Sequence, residues 1–106
     1  MDNDVNPGSN SVIELIRQLW GRNVQIKKIN DDPYDNTFTL NFTLYRNKHI
    51  LAEYKRSSLG LYVFIDGKYT GLSKLTNESI FKRPFCYCQE HMLHNFKILD
   101  KVLKAM

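Results

Sequence analysis

The chain is poor in the features that mark membrane proteins, secreted proteins and most enzymes. Its longest apolar runs, such as Leu61-Tyr62-Val63-Phe64-Ile65, fall far short of the roughly 20 residues that a membrane-crossing helix needs. Cysteine is limited to Cys86 and Cys88, one residue apart, where a disulfide would close a strained ring and leave the rest of the fold unstapled. Reduced thiols are therefore expected. Met1-Asp2-Asn3-Asp4 is acidic where a secretory leader begins basic, so an intracellular location, cytoplasmic or nuclear, is expected. There is no Gly-rich phosphate loop, no Gly-x-Ser-x-Gly and no pair of carboxylates in related settings. These absences predict a protein that is not an enzyme and needs no cofactor.

What remains is enough for one packed unit. With 106 residues, 42% of them hydrophobic and 12% aromatic, the chain has room for a single core. The formal net charge is +4, which leans towards an anionic partner without naming one.

Residues 1–10 lack periodicity and include Pro7-Gly8, which predicts a disordered lead-in to one domain over residues 11–106. Ser11-x-x-Glu14 has the pattern of a capping box, and Val12, Ile13, Leu15, Ile16, Leu19 and Trp20 share one broad helical face before Gly21. Val24 and Ile26 suggest a short strand, followed by a turn cluster over Asp31 to Asn36. Phe38, Leu40, Phe42 and Leu44 then alternate with Thr37, Thr39, Asn41 and Thr43, the pattern of a strand buried on one face and wet on the other. A partner strand runs from about His49 to Lys55, and residues 56–60 are expected to break it. Leu61 to Ile65, Asp66-Gly67 and Lys68 to Gly71 read as a hairpin carrying Tyr62, Phe64 and Tyr69, of which one row is expected in the core and the other exposed for an interface. Residues 73–85 look irregular, with one helical turn after Thr76. From about Tyr87, a narrow stripe of Met92, Phe96, Leu99, Leu103 and Met106 predicts the last helix. The expected fold is α+β, ordered α-β-β-β-(β-β)-α, an antiparallel sheet with two helices on one face.

Cys86-x-Cys88-x-x-His91-x-x-His94 collects the residue types that bind zinc. The spacing weighs against a structural site, because ligands so close in sequence close no loop worth stabilising. The plainer reading makes Cys88 a small core residue and the histidines surface groups. A Cys–His nucleophile lacks a third group to orient it. The basic residues say more. Lys82-Arg83 precede the last helix, where a cation is disfavoured unless an anion docks, and Lys55-Arg56 close a strand.

Ser11 to Leu19, the Pro-bearing turn Asp32-Pro33-Tyr34-Asp35 and the strand Phe38 to Phe42 resemble the first half of a double-stranded-RNA-binding domain. The resemblance covers about residues 11–56 and resumes at the last helix. It implies an α-β-β-β-α core that touches RNA phosphates and minor grooves, with Arg17 and Gln18 on the first helix and Lys82 and Arg83 at the start of the last. Lys55 and Arg56 join these as nucleic-acid-binding candidates. RNA is thus the expected partner. The alternative is a protein-interaction or regulatory domain of the same fold, docking through the sheet or the Asp66-Gly67 hairpin, because Asp35 stands where the family carries a histidine.

Overall fold

The computed structural model describes residues 8–32, 34–35, 37–55, 58–81 and 89–106. Helix α1 spans Ser9–Trp20, followed by strands β1 (Gln25–Asp32), β2 (Thr37–Leu44), β3 (Lys48–Lys55), β4 (Ser58–Ile65) and β5 (Lys68–Gly71). A single 3-10 turn over Leu72–Lys74 leads towards helix α2, Gln89–Ala105. The strands form one five-stranded sheet in the order β1-β2-β3-β4-β5. Every neighbouring pair is antiparallel, so the sheet is a meander built from local connections. The α+β architecture expected from the sequence is the one observed. No described helix is long and apolar enough to cross a membrane.

Strand alternation decides which side is covered. Phe38, Leu40, Phe42 and Leu44 of β2 are buried, as are Ile50, Ala52 and Tyr54 of β3 and Leu59, Leu61 and Val63 of β4. These residues join Val12, Leu15 and Ile16 of α1 and Met92, Phe96, Ile98, Leu99 and Leu103 of α2 in one cluster. Both helices therefore cover the same face of the sheet, and β2 lies under them as the most continuous apolar row.

Several local boundaries differ from those expected. Helix α1 starts at Ser9, with Gly8 as its N-cap and no side-chain cap, so Ser11 and Glu14 form no capping box. Tertiary contact explains the earlier start: Ser9 is buried and its hydroxyl donates to the Asp31 carboxylate at 2.9 Å. The same contact belongs to a β1 that continues through Asp31 and Asp32, residues that read as a turn by composition. Pairing of Asp31 with Phe38 and Asp32 with Thr37 holds them extended. Likewise β4 begins at Ser58, because Lys55 pairs with Ser58 and Tyr54 with Leu59. The helical turn lies at Leu72–Lys74, before Thr76 instead of after it. Asp66 and Gly67 have φ of 51° and 86°, the doubly positive geometry of the expected type I′ hairpin. At the end of α2, Met106 is exposed and does not extend the buried stripe.

The two helices and the sheet meet at Trp20. Its ring centroid lies 6.1 Å from that of Phe42 and 5.6 Å, edge-on, from that of Phe96. Its indole N–H donates to Asp100 Oδ1 at 2.9 Å. The hydroxyl of Tyr45, in the β2–β3 turn, donates to the same oxygen, and Lys104 lies 3.1 Å from Oδ2. Tyr45 and Arg46 both adopt positive φ, 49° and 73°, which costs a non-glycine residue roughly 1–2 kcal/mol. The hydrogen bond from Tyr45 to Asp100 offsets part of that cost. Partial burial pushes the Asp100 carboxyl up, but hydrogen bonds from Tyr45, Trp20 and Lys104 outweigh it and hold the group below its ordinary value.

Stability should respond at two positions. Phe42→Ala removes a fully buried ring from the cluster and should cost on the order of 3–5 kcal/mol, read from urea denaturation; a cost under about 1 kcal/mol would contradict the burial of this row. Because the Asp100 pKa is lowered by folding from 3.8, its contribution is fully present above that value and disappears as pH falls through the folded value. Asp100→Asn should lower the melting temperature at neutral pH and remove that part of the acid sensitivity. Parallel melting curves for the two proteins between neutral pH and pH 3 would contradict it.

Candidate functional site

The face of the sheet opposite the helices carries the best candidate site. Register places its side chains in rows. One row runs Gln25, Thr43 and His49 across β1, β2 and β3, and the next runs Lys27, Asn41, Leu51, Tyr62 and Gly71 across all five strands. Phe64 pairs with Tyr69 on the neighbouring strand, and the His49 ring lies 6.4 Å from Phe64 to extend the first row. Phe64 and Tyr69 are 44% and 39% exposed, so neither belongs to a core.

These rings are held in place. Phe64 meets Tyr69 at 5.1 Å with planes inclined by 64°, and meets His49 at 77°. In each tilted contact the edge of one ring meets a face of the other, so one face per contact is occupied while the rings as a whole stay partly exposed. The Asn41 amide donates to Tyr69 Oη at 2.8 Å. Asn41 is on β2 and Tyr69 on β5, three strand spacings apart at about 4.8 Å each. For their side chains to meet, the sheet must be concave on this side, with Tyr69 reaching over the intervening strands. Thr43 Oγ1 lies 3.2 Å from His49 Nδ1 and orients that ring. Tyr62 packs along the sheet beside two glycines: a Cβ at Gly60 would stand 2.9 Å from its Oη, and one at Gly71 would touch its ring at 3.9 Å. Those glycines make room for a ring lying flat on the surface.

Ion pairs engage part of the surface charge. The ion pairs between described residues are Arg22–Glu14, Lys28–Asp31, Lys101–Glu78 and Lys104–Asp100. All involve a helix, the segment before α2 or the outer edge strand. Among the described residues Lys27 and Lys55 on the open face form no ion pair, and neither do Lys48, Lys68, Lys74 and Lys97 elsewhere. Glu53 and Asp32 also lie on this face, by their register with Gly60 and Thr37.

The nucleic-acid-binding candidates of the sequence fare unequally. Lys82, Arg83 and Arg56 lie outside the described residues. Gln18 is exposed on α1, and Arg17 beside it is half-buried, with its Nε shielded and unpartnered. Lys55 lies near the opposite end of that helix, since Ser9 bonds Asp31, Asp31 pairs with Phe38, and Phe38 pairs with Tyr54. Eight residues of helix, about 12 Å, separate Ser9 from Arg17, so Arg17 and Lys55 do not form one patch.

Of the four possible zinc ligands, Cys86 and Cys88 also lie outside the described residues. His91 stacks on Phe81 at 3.8 Å, and His94 meets the same ring edge-on at 5.0 Å. His94 Nε2–H donates to the Ser79 carbonyl at 2.9 Å, which leaves that nitrogen no lone pair for a metal. Asn95 completes this junction, with its amide bonded to both the N–H and the carbonyl of Phe81. The described parts of the cluster thus tie the segment before α2 to the helix. Among the described residues, no group of three or more His, Cys, Asp or Glu could hold a metal ion.

A cleft of about 180 Å³ at the outer edge of β4 is lined by Gly60, Tyr62, Leu72, Phe81 and Asn95 among others. It is smaller than the roughly 300 Å³ of ordinary small-molecule sites and brings together no acid, base or nucleophile beyond hydroxyls.

The sequence pattern singles out Tyr62, Phe64 and Tyr69 without settling which face solvent, and it passes over Asn41, Thr43 and His49 as members of the same face. Extending the β2 alternation through the hairpin into β3 is the signal that could have found them. Comparison with protein-family models, with curated proteins and with solved structures finds no match to this chain.

The packing of Tyr62 is testable by a double-mutant cycle. Gly60→Ala should destabilise the wild type, because the new methyl displaces the Tyr62 ring, whereas in a Tyr62→Ala background the same change should be neutral or stabilising. The same sign in both backgrounds, from denaturant melts, would mean that the ring does not occupy the glycine surface.

Proposed function

We propose that the chain is a small non-enzymatic binding module whose ligand is RNA and whose binding surface is the open face of the sheet. The observation that carries this reading is the exposed, mutually braced row His49, Phe64 and Tyr69, with Lys27 and Lys55 on the same face and in no ion pair among the described residues. Exposed rings of this size are unfavourable in water unless something covers them, and nucleobases do so by stacking. Thr39, Asn41 and Thr43 add donors and acceptors suited to base edges and 2′-hydroxyls. The net charge of +4 favours a polyanion in general.

A protein partner is the second reading, and Glu53 and Asp32 are the residues that favour it. Both place negative charge on the surface where phosphates would approach. Aromatic-rich patches also serve protein interfaces, and the Asp66-Gly67 turn joins the two strands that carry Phe64 and Tyr69.

Salt dependence separates the two. RNA binding followed by fluorescence anisotropy should weaken steeply as salt rises. Lys27→Glu combined with Lys55→Glu should lower affinity across all sequences and flatten the log–log salt slope by about two, one for each phosphate that no longer meets a lysine. A wild-type protein without salt-dependent affinity for any RNA at low ionic strength would overturn the RNA reading.

A further inference from the structure

We infer that the open face takes unpaired nucleotides and not an RNA duplex, an inference that rests on the RNA reading above. Bases in a duplex hide their π faces in the stack, and duplex RNA is recognised through phosphates and 2′-hydroxyls along its grooves. Aromatic side chains on a sheet contribute little to that kind of contact. They contribute fully when bases are splayed out and each can lie on a ring.

Three features favour the single strand. His49, Phe64 and Tyr69 form a contiguous row at centroid spacings of 6.4 and 5.1 Å, and Phe64 and Tyr69 stay 44% and 39% exposed, so the row offers ring surface to more than one unstacked base. Asn41 anchors Tyr69 at its hydroxyl and Thr43 contacts His49, so both rings are ordered before a ligand arrives and little side-chain entropy is lost on binding. The concavity that lets Asn41 reach Tyr69 suits a narrow, flexible strand better than a rigid duplex. The described residues also offer no continuous track for a duplex, because Arg17 and Lys55 stand towards opposite ends of α1 and Arg17 is half-buried.

The test is a comparison of two probes with the full chain at low salt: a labelled oligouridylate of about ten nucleotides, which does not pair, and a blunt RNA duplex of the same length. The oligouridylate should bind more tightly. Phe64→Ala and Tyr69→Ala should each weaken it by roughly 5- to 150-fold, the effect of removing one stacked base, while Tyr69→Phe retains most of the affinity. Far-UV circular dichroism establishes that the variants are folded. Should Phe64→Ala fail to fold, Phe64→Trp serves instead, and its fluorescence should be quenched by the oligouridylate. Tighter binding of the duplex would overturn the single-strand inference while leaving the RNA reading in place, whereas alanine variants with unchanged affinity for the oligouridylate would overturn both the inference and the assignment of RNA to the open face. If neither probe binds, the RNA reading itself fails, and a protein partner for the sheet becomes the explanation of the exposed rings.

Discussion

The arrangement depends on the junction at Trp20. One indole touches Phe42 of the sheet and Phe96 of α2 while belonging to α1, and its N–H ends on Asp100. A wholly apolar contact would hold the three layers together without fixing their orientation. Asp100 adds direction, because its carboxylate gathers Trp20, Tyr45 and Lys104 from α1, the β2–β3 turn and α2. The first and last helices of the chain are thereby joined over one side of the sheet. That closure leaves the other side open.

The two faces consequently have different physical roles. Strand alternation sends Phe38, Leu40, Phe42 and Leu44 of β2, Ile50, Ala52 and Tyr54 of β3 and Leu59, Leu61 and Val63 of β4 under the helices and leaves threonines, Asn41, His49, Leu51 and the outer aromatic residues on the far side. The edges are poor templates for further strands. At one edge β1 carries Lys27 and Lys28 and an irregularity beside Ile29, and at the other β5 has only four residues. The surface most open to a partner is thus the open face and not an edge. Its rings are tied to polar neighbours, as expected of a surface kept in one shape for a ligand.

The same face explains why charge alone was a weak guide. The net charge of +4 is the small excess of 15 basic over 11 acidic side chains, and four of the basic ones are held in ion pairs among the described residues. What distinguishes the open face is its row of exposed rings, with Lys27 and Lys55 on the same face mixed with Glu53 and Asp32.

Periodicity by itself determined much of the fold. The alternation from Thr37 to Leu44, the Asp66-Gly67 turn and the apolar stripes of both helices follow from local geometry, which repeats at 2 and 3.6 residues and is visible in any window. Boundaries were decided by tertiary contact. Ser9 entered α1 because Asp31 accepts its hydroxyl, and Asp31 and Asp32 stayed in β1 because β2 pairs with them. The candidate site shows the same division. Tyr62, Phe64 and Tyr69 could be picked out from the chain, yet alternation within β4 fits either choice of inward row. Only packing of Leu59, Leu61 and Val63 under the helices turned Tyr62 and Phe64 outward, and only curvature of the assembled sheet brought Asn41 to Tyr69. Those are relations between strands distant in sequence, and no local pattern encodes them.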